Sequence, residues 1–241
     1  VLERDCVSKL VKVFEEKSDI GALQPVIVNP DGSLFYGFDV GLGNYAKPIR
    51  RPRSYPLSET FFASGAALMT PSRIFFKVGM FDEALFLYHD DLDYSWRVRL
   101  AGYKVYTLVT AYAYHLGNIA HKHKSLTYLY YTQRNNIVTL FKNSKSTWLI
   151  SRLFLMFLEF LTAFLLHYTV VERSPEKLKA IIKGLFAGLL LVSKWKDKRA
   201  EISGLRKTNE AEIIGALNKL VDISILFPKT LRRFLSIELD I

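Results

Sequence analysis

Trp148 to Val171 is almost unbroken apolar sequence, and within it Leu153 to Val171 carries one formal charge, Glu159. A run of that length must be sunk in a core, laid on lipid or passed through a bilayer. A polar break, Glu172 to Lys179, leads to a second apolar segment, Ala180 to Trp195. Its strictly uncharged part, Gly184 to Ser193, is too short to span alone, while Gly184 and Gly188 have the spacing of a close helix contact. Arg152 and Glu159 are seven residues apart, on nearly the same helical face, and are expected to share a partner. Lys142 and Lys145 precede the first segment, and Lys194, Lys196, Lys198 and Arg199 follow the second. Positive charge at both outer ends predicts a hairpin entering a membrane from the cytoplasm and returning to it. That reading makes membrane lipid a partner and puts the chain on the cytoplasmic face of the cell membrane. A pair of soluble core helices and an interfacial hairpin are the other arrangements open to the same residues.

The 33 Lys and Arg against 23 Asp and Glu give a formal net charge of +10 over 241 residues. The cations fall in separate clusters, at Lys47 to Arg53, around residues 122–145 and from Lys194 to Lys207. Clusters flanking apolar segments suit a lipid surface better than a nucleic-acid groove, so no nucleic acid is expected as partner. With half its residues apolar and 14% aromatic, the chain has the material for a packed core. The single cysteine, Cys6, excludes an intrachain disulfide and reads as a small packing residue.

Ahead of the apolar run the pattern is α/β. Arg4 to Glu16 has a helical stripe of Val7, Leu10, Val11 and Phe14. Ile20 to Val28 reads as a strand, Asn29-Pro30-Asp31-Gly32 as a turn and Leu34 to Phe38 as the returning strand. Residues 39–58 read as a long irregular loop, and Thr60 to Thr70 as a buried strand containing Ser64-Gly65-Ala66-Ala67. A short helix opens at Pro71 and Ser72. A longer one covers Asp90 to Ala101, with Leu92, Trp96 and Leu100 on one face and Gly102 beyond its end. Two short strands, Tyr103–Val109 and Ala111–His115, and an amphipathic helix from Lys124 complete this part.

The chemistry-bearing stretch runs from Phe61 to Asn118. It holds Ser64-Gly65-Ala66, Gly79-Met80-Phe81-Asp82-Glu83, Phe86-Leu87-Tyr88-His89-Asp90-Asp91-Leu92-Asp93, Trp96-Arg97, Ala101-Gly102-Tyr103 and His115. Acids at a helix start have an ordinary use, since carboxylates cap free backbone N–H groups and complement the helix dipole. The order and spacing of the whole series nevertheless resembles the inverting family 2 glycosyltransferases of GT-A fold, in particular the rhamnosyltransferase-like branch, over about residues 1–140. The acidic pair of that family is usually Glu-Asp; here it is Asp90-Asp91.

The resemblance implies transfer of a sugar from a nucleotide-sugar donor to a saccharide or lipid-linked acceptor with inversion. Asp91 would be the general base, with Ser64, Gly65, Asp82, Glu83, Asp90, Asp93 and Arg97 on the acceptor side or supporting it. His115 would help hold a divalent metal, Mn2+ or Mg2+, and Arg134 would bind phosphate. Trp96 reads as core, and Asp93 as either solvated or hydrogen-bonded. The implied architecture is a partial GT-A glycosyltransferase domain (1–145), an apolar, membrane-associated helical hairpin (146–199) and polar C-terminal helices (200–241). The family's nucleotide-binding half and metal-binding Asp-x-Asp would precede Leu2, so a fragment or a separately supplied N-terminal half is expected. The rival expectation is a non-catalytic, membrane-bound binding or assembly subunit descended from such an enzyme.

Overall fold

The computed structural model describes residues 1–41, 44, 46–116, 125–165, 167–209 and 212–213, the side chains of residues 159 and 162–164 aside. Helix α1 (Cys6–Glu16) begins two residues later than its apolar stripe predicts, and its buried face is rotated. Cys6 and Leu10, with Val13 and Phe14, pack on the sheet, while Val7 and Val11 stay exposed.

The main sheet has the order β2-β1-β6-β5. Strand β1 (Ile20–Val28) runs parallel to β6 (Lys104–Tyr114), and burial on both faces accounts for its near-continuous apolar sequence. The turn at residues 29–32 returns the chain as β2 (Leu34–Phe35), antiparallel to the end of β1. The two short strands expected over residues 103–115 are one strand whose register to β1 slips between Pro25 and Val26, where Leu108 gives way to Tyr112. The residues skipped there are engaged elsewhere, for Val109 N–H donates to the Pro56 carbonyl and Lys9 Nζ to that of Thr110.

The loop expected over residues 39–58 contains ordered pairing. Strands β3 (Phe38–Val40) and β4 (Ala46–Pro48) form a small hairpin, and β5 (Leu57–Glu59) adds antiparallel to β6. The strand expected from Thr60 to Thr70 does not form. Thr60 to Ala63 are buried, but Ser64 to Ala67 close a turn, and pairing is reduced to single bridges, Phe62 with Phe38 and Met69 with Leu23. Four consecutive small residues give a strand little to pack, and glycine weakens it further.

Helix α2 (Ser72–Lys77) leads through an irregular segment to α3 (Asp90–Leu100), whose exit at Gly102 has φ +89°. Leu92, Trp96 and Leu100 lie in one core cluster with Ile137 and Leu140 of α4 (Leu126–Asn143), Met156 of α5 (Ser146–Glu159) and Ile202 of α7 (Lys196–Leu205). Lys124, where the fourth helix was expected to open, lies outside the described residues. Between α5 and α7 come two π-helical turns, Phe160–Leu165 and His167–Val171, and α6 (Pro175–Leu191).

The membrane-crossing hairpin is not what the described residues form: none of their helices is long and apolar enough to cross a bilayer. Helix α6 lies along α4 instead. A Cβ at Gly184 would come 2.4 Å from the Tyr130 carbonyl oxygen, and one at Gly188 2.8 Å from that of Arg134. Arg152, expected to seek a partner beside Glu159, is buried with its guanidinium 4.6 Å from the centre of the Trp96 ring. Lys142, read from sequence as a membrane-flanking cation, is fully buried between Asp82 and Asp93. The inner face of α5 therefore belongs to the protein core.

Candidate active site

Three acids occupy the first turn of α3, and the environment gives each a different character. Asp93 is fully buried. Lys142 Nζ lies 3.1 Å from it, Arg97 3.0 Å, and Asn143 Nδ2 donates to it at 3.0 Å. Burial would raise its pKa, but Lys142, Arg97 and Asn143 more than offset that, so the carboxyl is held below its usual range. Its role is structural, within the hydrogen-bonded alternative. Arg97 is equally buried and spends its other donors on the carbonyls of Val78 and Met80, which makes it a support beneath the site.

Asp91 is half-buried and differently held. Its Oδ2 accepts from the Gly65 N–H at 3.0 Å, and its Oδ1 from the Leu92 N–H at 2.8 Å. Burial pushes its carboxyl up to about 6; the charge of Asp90 adds to this, and the Gly65 N–H opposes it. No cation compensates it, unlike Asp93. A carboxyl that is mostly ionised at neutral pH yet basic enough to take a proton has the properties of a general base.

The turn facing Asp91 is itself fixed. Ser64 N–H donates to Gln24 Oε1 at 2.6 Å, Ala63 N–H to Ser95 Oγ at 3.4 Å, and Thr70 Oγ1 bridges Tyr94 and the Gly21 carbonyl. The Ser64–Gly65 peptide is thus held from the sheet on one side and from α3 on the other.

The segment entering α3 is strained. Met80, Phe86, Tyr88 and His89 all have φ between 56° and 65°. A non-glycine residue in that region costs about 1–3 kcal/mol, so other contacts must enforce it. Arg97 holds its start, and Lys142 reaches Asp82 at 2.5 Å. Arg134 donates to the carbonyls of Ala84 and Leu85, and Asn135 Nδ2 lies 2.8–2.9 Å from those of Leu85, Leu87 and Tyr88. Asp82 accepts from Ala84 N–H at 3.3 Å, capping the single turn Glu83–Leu85. The result leaves Phe86 exposed, with its ring 5.4 Å from Tyr131.

The structure thus brings Ser64, Gly65, Asp90, Asp91 and Asp93 around the start of α3, with Arg97, Asp82 and Glu83 in the segment that supports it. Arg134 clamps the loop: its guanidinium donates to the Ala84 and Leu85 carbonyls and lies over Tyr131 at 4.6 Å. His115 is half-buried at the end of β6, its N–H on the Val28 carbonyl at 3.0 Å. Among the described residues no three His, Cys, Asp or Glu side chains group to hold a metal ion.

Sequence reading missed four participants: Gln24, Asn135, Lys142 and Asn143. Gln24 had a signal, as a lone polar residue in the middle of an apolar strand. Lys142 and Asn143 had none that separates them from a solvated helix end.

No protein-family model matches the sequence, and no curated protein matches it. Among solved structures it is similar to the crystal structure of GalNAc-T7 with UDP, GalNAc and Mn2+. The TM-score is 0.50 and the identity 11%, over 80% of this chain. That neighbour is a glycosyltransferase of GT-A type. The fold is GT-A-like. The match spans 39% of the neighbour's chain and carries the fold alone, with no support for the family 2 or rhamnosyltransferase-like expectation.

Proposed function

We propose that this chain forms the acceptor-side part of a glycosyltransferase, in which Asp91 is the general base. The observation that carries the reading is the half-buried Asp91 carboxyl at the start of α3, fixed by the Gly65 N–H and raised to about 6, in a GT-A-like fold. Asp91 takes the proton of an acceptor hydroxyl as that oxygen bonds to the anomeric carbon of the donor sugar. The bond from that carbon to the diphosphate oxygen breaks on the opposite face, and the nucleoside diphosphate leaves with its electron pair. One displacement inverts the anomeric configuration and needs no covalent intermediate.

Asp90 keeps Asp91 basic, and the loop from Asp82 to His89 presents Phe86, whose exposed ring suits the apolar face of a sugar. The acceptor is a saccharide or a lipid-linked saccharide. The neighbour's UDP and Mn2+ support a nucleotide-sugar donor and a divalent ion for the leaving diphosphate. Among the described residues no three His, Cys, Asp or Glu side chains group to hold the ion, and no step is assigned to it. The donor-binding part of the enzyme is supplied by further sequence or a separate half, a reading that rests on the sequence resemblance alone.

The test is a panel of nucleotide sugars offered to the natural polypeptide that contains this chain, with product stereochemistry read by NMR. Asp91→Asn is expected to lower kcat by roughly 10²–10⁴-fold with KM little changed, the usual worth of a general base. In the native enzyme kcat/KM rises with pH through about 6, because only ionised Asp91 accepts the proton. Transfer at an undiminished rate by Asp91→Asn would end the proposal.

A further inference from the structure

Helix α5 is apolar on two faces, about 100° apart around its axis. Leu149, Leu153 and Met156 face the core beside Trp96. Ile150, Phe154 and Phe157 lie at i, i+4 and i+7 on the second face, 79%, 59% and 52% exposed, and Leu161, in the π-helical turn beyond, is 36% exposed. An amphipathic helix needs one apolar stripe to join a core. A second stripe with two phenylalanines more than half exposed has no packing purpose among the described residues. Helix α6 carries a separate exposed stripe, Phe186 and Leu190 continuing the line of Lys179 and Lys183 at helical spacing. Exposed apolar surface of this extent marks an interaction site.

Charge indicates what covers it. Residues 145–199 contain ten Lys and Arg and four Asp and Glu, a net of six of the chain's ten formal positive charges. Lys145, Lys179, Lys183, Lys194 and Lys196 are exposed. Arg199 donates to Ser146 Oγ and the Phe141 carbonyl, which brings the basic start of α7 to the N-terminal end of α5. An apolar stripe bordered by lysines complements the interface of an anionic bilayer, where apolar side chains enter the acyl boundary and cations meet headgroups. A second protein copy would have to tolerate the same cations against themselves.

We propose that helix α5 lies on an anionic membrane surface, with the Ile150–Phe154–Phe157 face dipped into the lipid and no described segment crossing it. This takes up the interfacial alternative left open by the sequence and does not rest on glycosyl transfer. The test is co-flotation of the natural polypeptide with vesicles of phosphatidylcholine alone or of phosphatidylcholine and phosphatidylglycerol at 3:1, beside its sedimentation without lipid. The protein is expected to float with the anionic vesicles at least tenfold more than with the neutral ones, and less in high salt. Phe154→Ser with Phe157→Ser abolishes flotation and leaves the circular dichroism spectrum unchanged, because both positions are exposed. Equal flotation of the double variant makes the contact purely electrostatic and overturns the proposal. Absence of flotation overturns it too, and self-association relieved by the double variant would then assign the face to a second copy.

Discussion

Gln24 is fully buried in β1, yet only half of its amide is used. Its Oε1 must face the Ser64 N–H, so the Nε2 is left enclosed without a hydrogen-bond partner. Flipping the amide would set two donors against each other. The unpaired donor costs stability, about 1–3 kcal/mol for such a group. What it holds in place is the peptide whose next N–H reaches Asp91. Gln24→Met is therefore expected to separate stability from titration. Loss of the unpaired donor offsets loss of the Ser64 bond, so the urea midpoint moves little. The Gly65 N–H, less firmly directed, lowers the Asp91 pKa less, and the carboxyl titrates above 6 by carbon-13 NMR. An unmoved Asp91 titration would show that the turn keeps its place without Gln24. Lys142 presents the opposite case. Lys142→Met leaves Asp82 and the buried Asp93 without a cation they share, and breaking a buried ion pair from one side costs about 3–5 kcal/mol. Denaturant unfolding should show that loss, whereas substitution of the exposed Lys179 should not. At this scale sequence reading found the residues that chemistry requires and missed those that hold them. Asp91 stands out as one of several acids at a helix start, while Asn135 and Lys142 acquire meaning only when α4 is laid against the loop before α3.

Helix α6 docks on α4 through Gly184 and Gly188, and the contact is as close as backbone allows. A methyl at Gly184 would sit 2.4 Å from the Tyr130 carbonyl oxygen, with no flexible side chain to yield. Gly184→Ala is expected to destabilise by about 1–3 kcal/mol, the range for overpacking. Gly204 in α7 is the control: nothing lies within 4 Å of a Cβ there, and Gly204→Ala should stabilise by about 0.5–1 kcal/mol through helix propensity. Thermal unfolding of the pair reads both signs in one experiment. Elements with a strong local period were legible before the structure: β1 at its full extent, the turn after it, α2, α3 and the glycine exit of α3. Pairing decided by distant partners was not. The strands β3, β4 and β5 lie in a stretch rich in glycine and proline, which hides the local β3–β4 hairpin, and β5 pairs with β6, remote in sequence. The expected strand over Thr60 to Thr70 failed because its small residues serve a turn beside Asp91. The apolar run after Trp148 was legible as apolar, but hydropathy alone does not tell a core face from a lipid face, and α5 has both.

Across the whole molecule, two groups at the start of α3 oppose each other in acid. His89 has its ring pushed down to about 4 by burial, with Asp93 pulling weakly the other way, and its Nδ1 is enclosed without a partner. In the unfolded chain it takes a proton near pH 6.5, in the folded one near 4, so between those values the unfolded state binds more protons. Stability contributed by His89 is therefore lost as pH falls from 6.5 to 4. Asp91 is the reverse. Its folded carboxyl titrates near 6 and its unfolded one near 3.8, so the folded state binds more protons between them and stability rises as pH falls through the same window. The two contributions largely cancel in the native protein, whose unfolding free energy should change little between pH 6.5 and 4. Lowered carboxyls such as Asp93 act below that window, where protonation of the folded form removes stability. Each substitution uncovers the other group. Asp91→Asn should give a protein that loses stability steadily from pH 6.5 to 4, and His89→Asn, which keeps a residue tolerant of φ near 65°, one that gains it. Urea unfolding at half-unit pH intervals measures all three curves. If both variants follow the native curve, neither group has a shifted titration, and the claim that Asp91 is tuned for proton transfer falls with it.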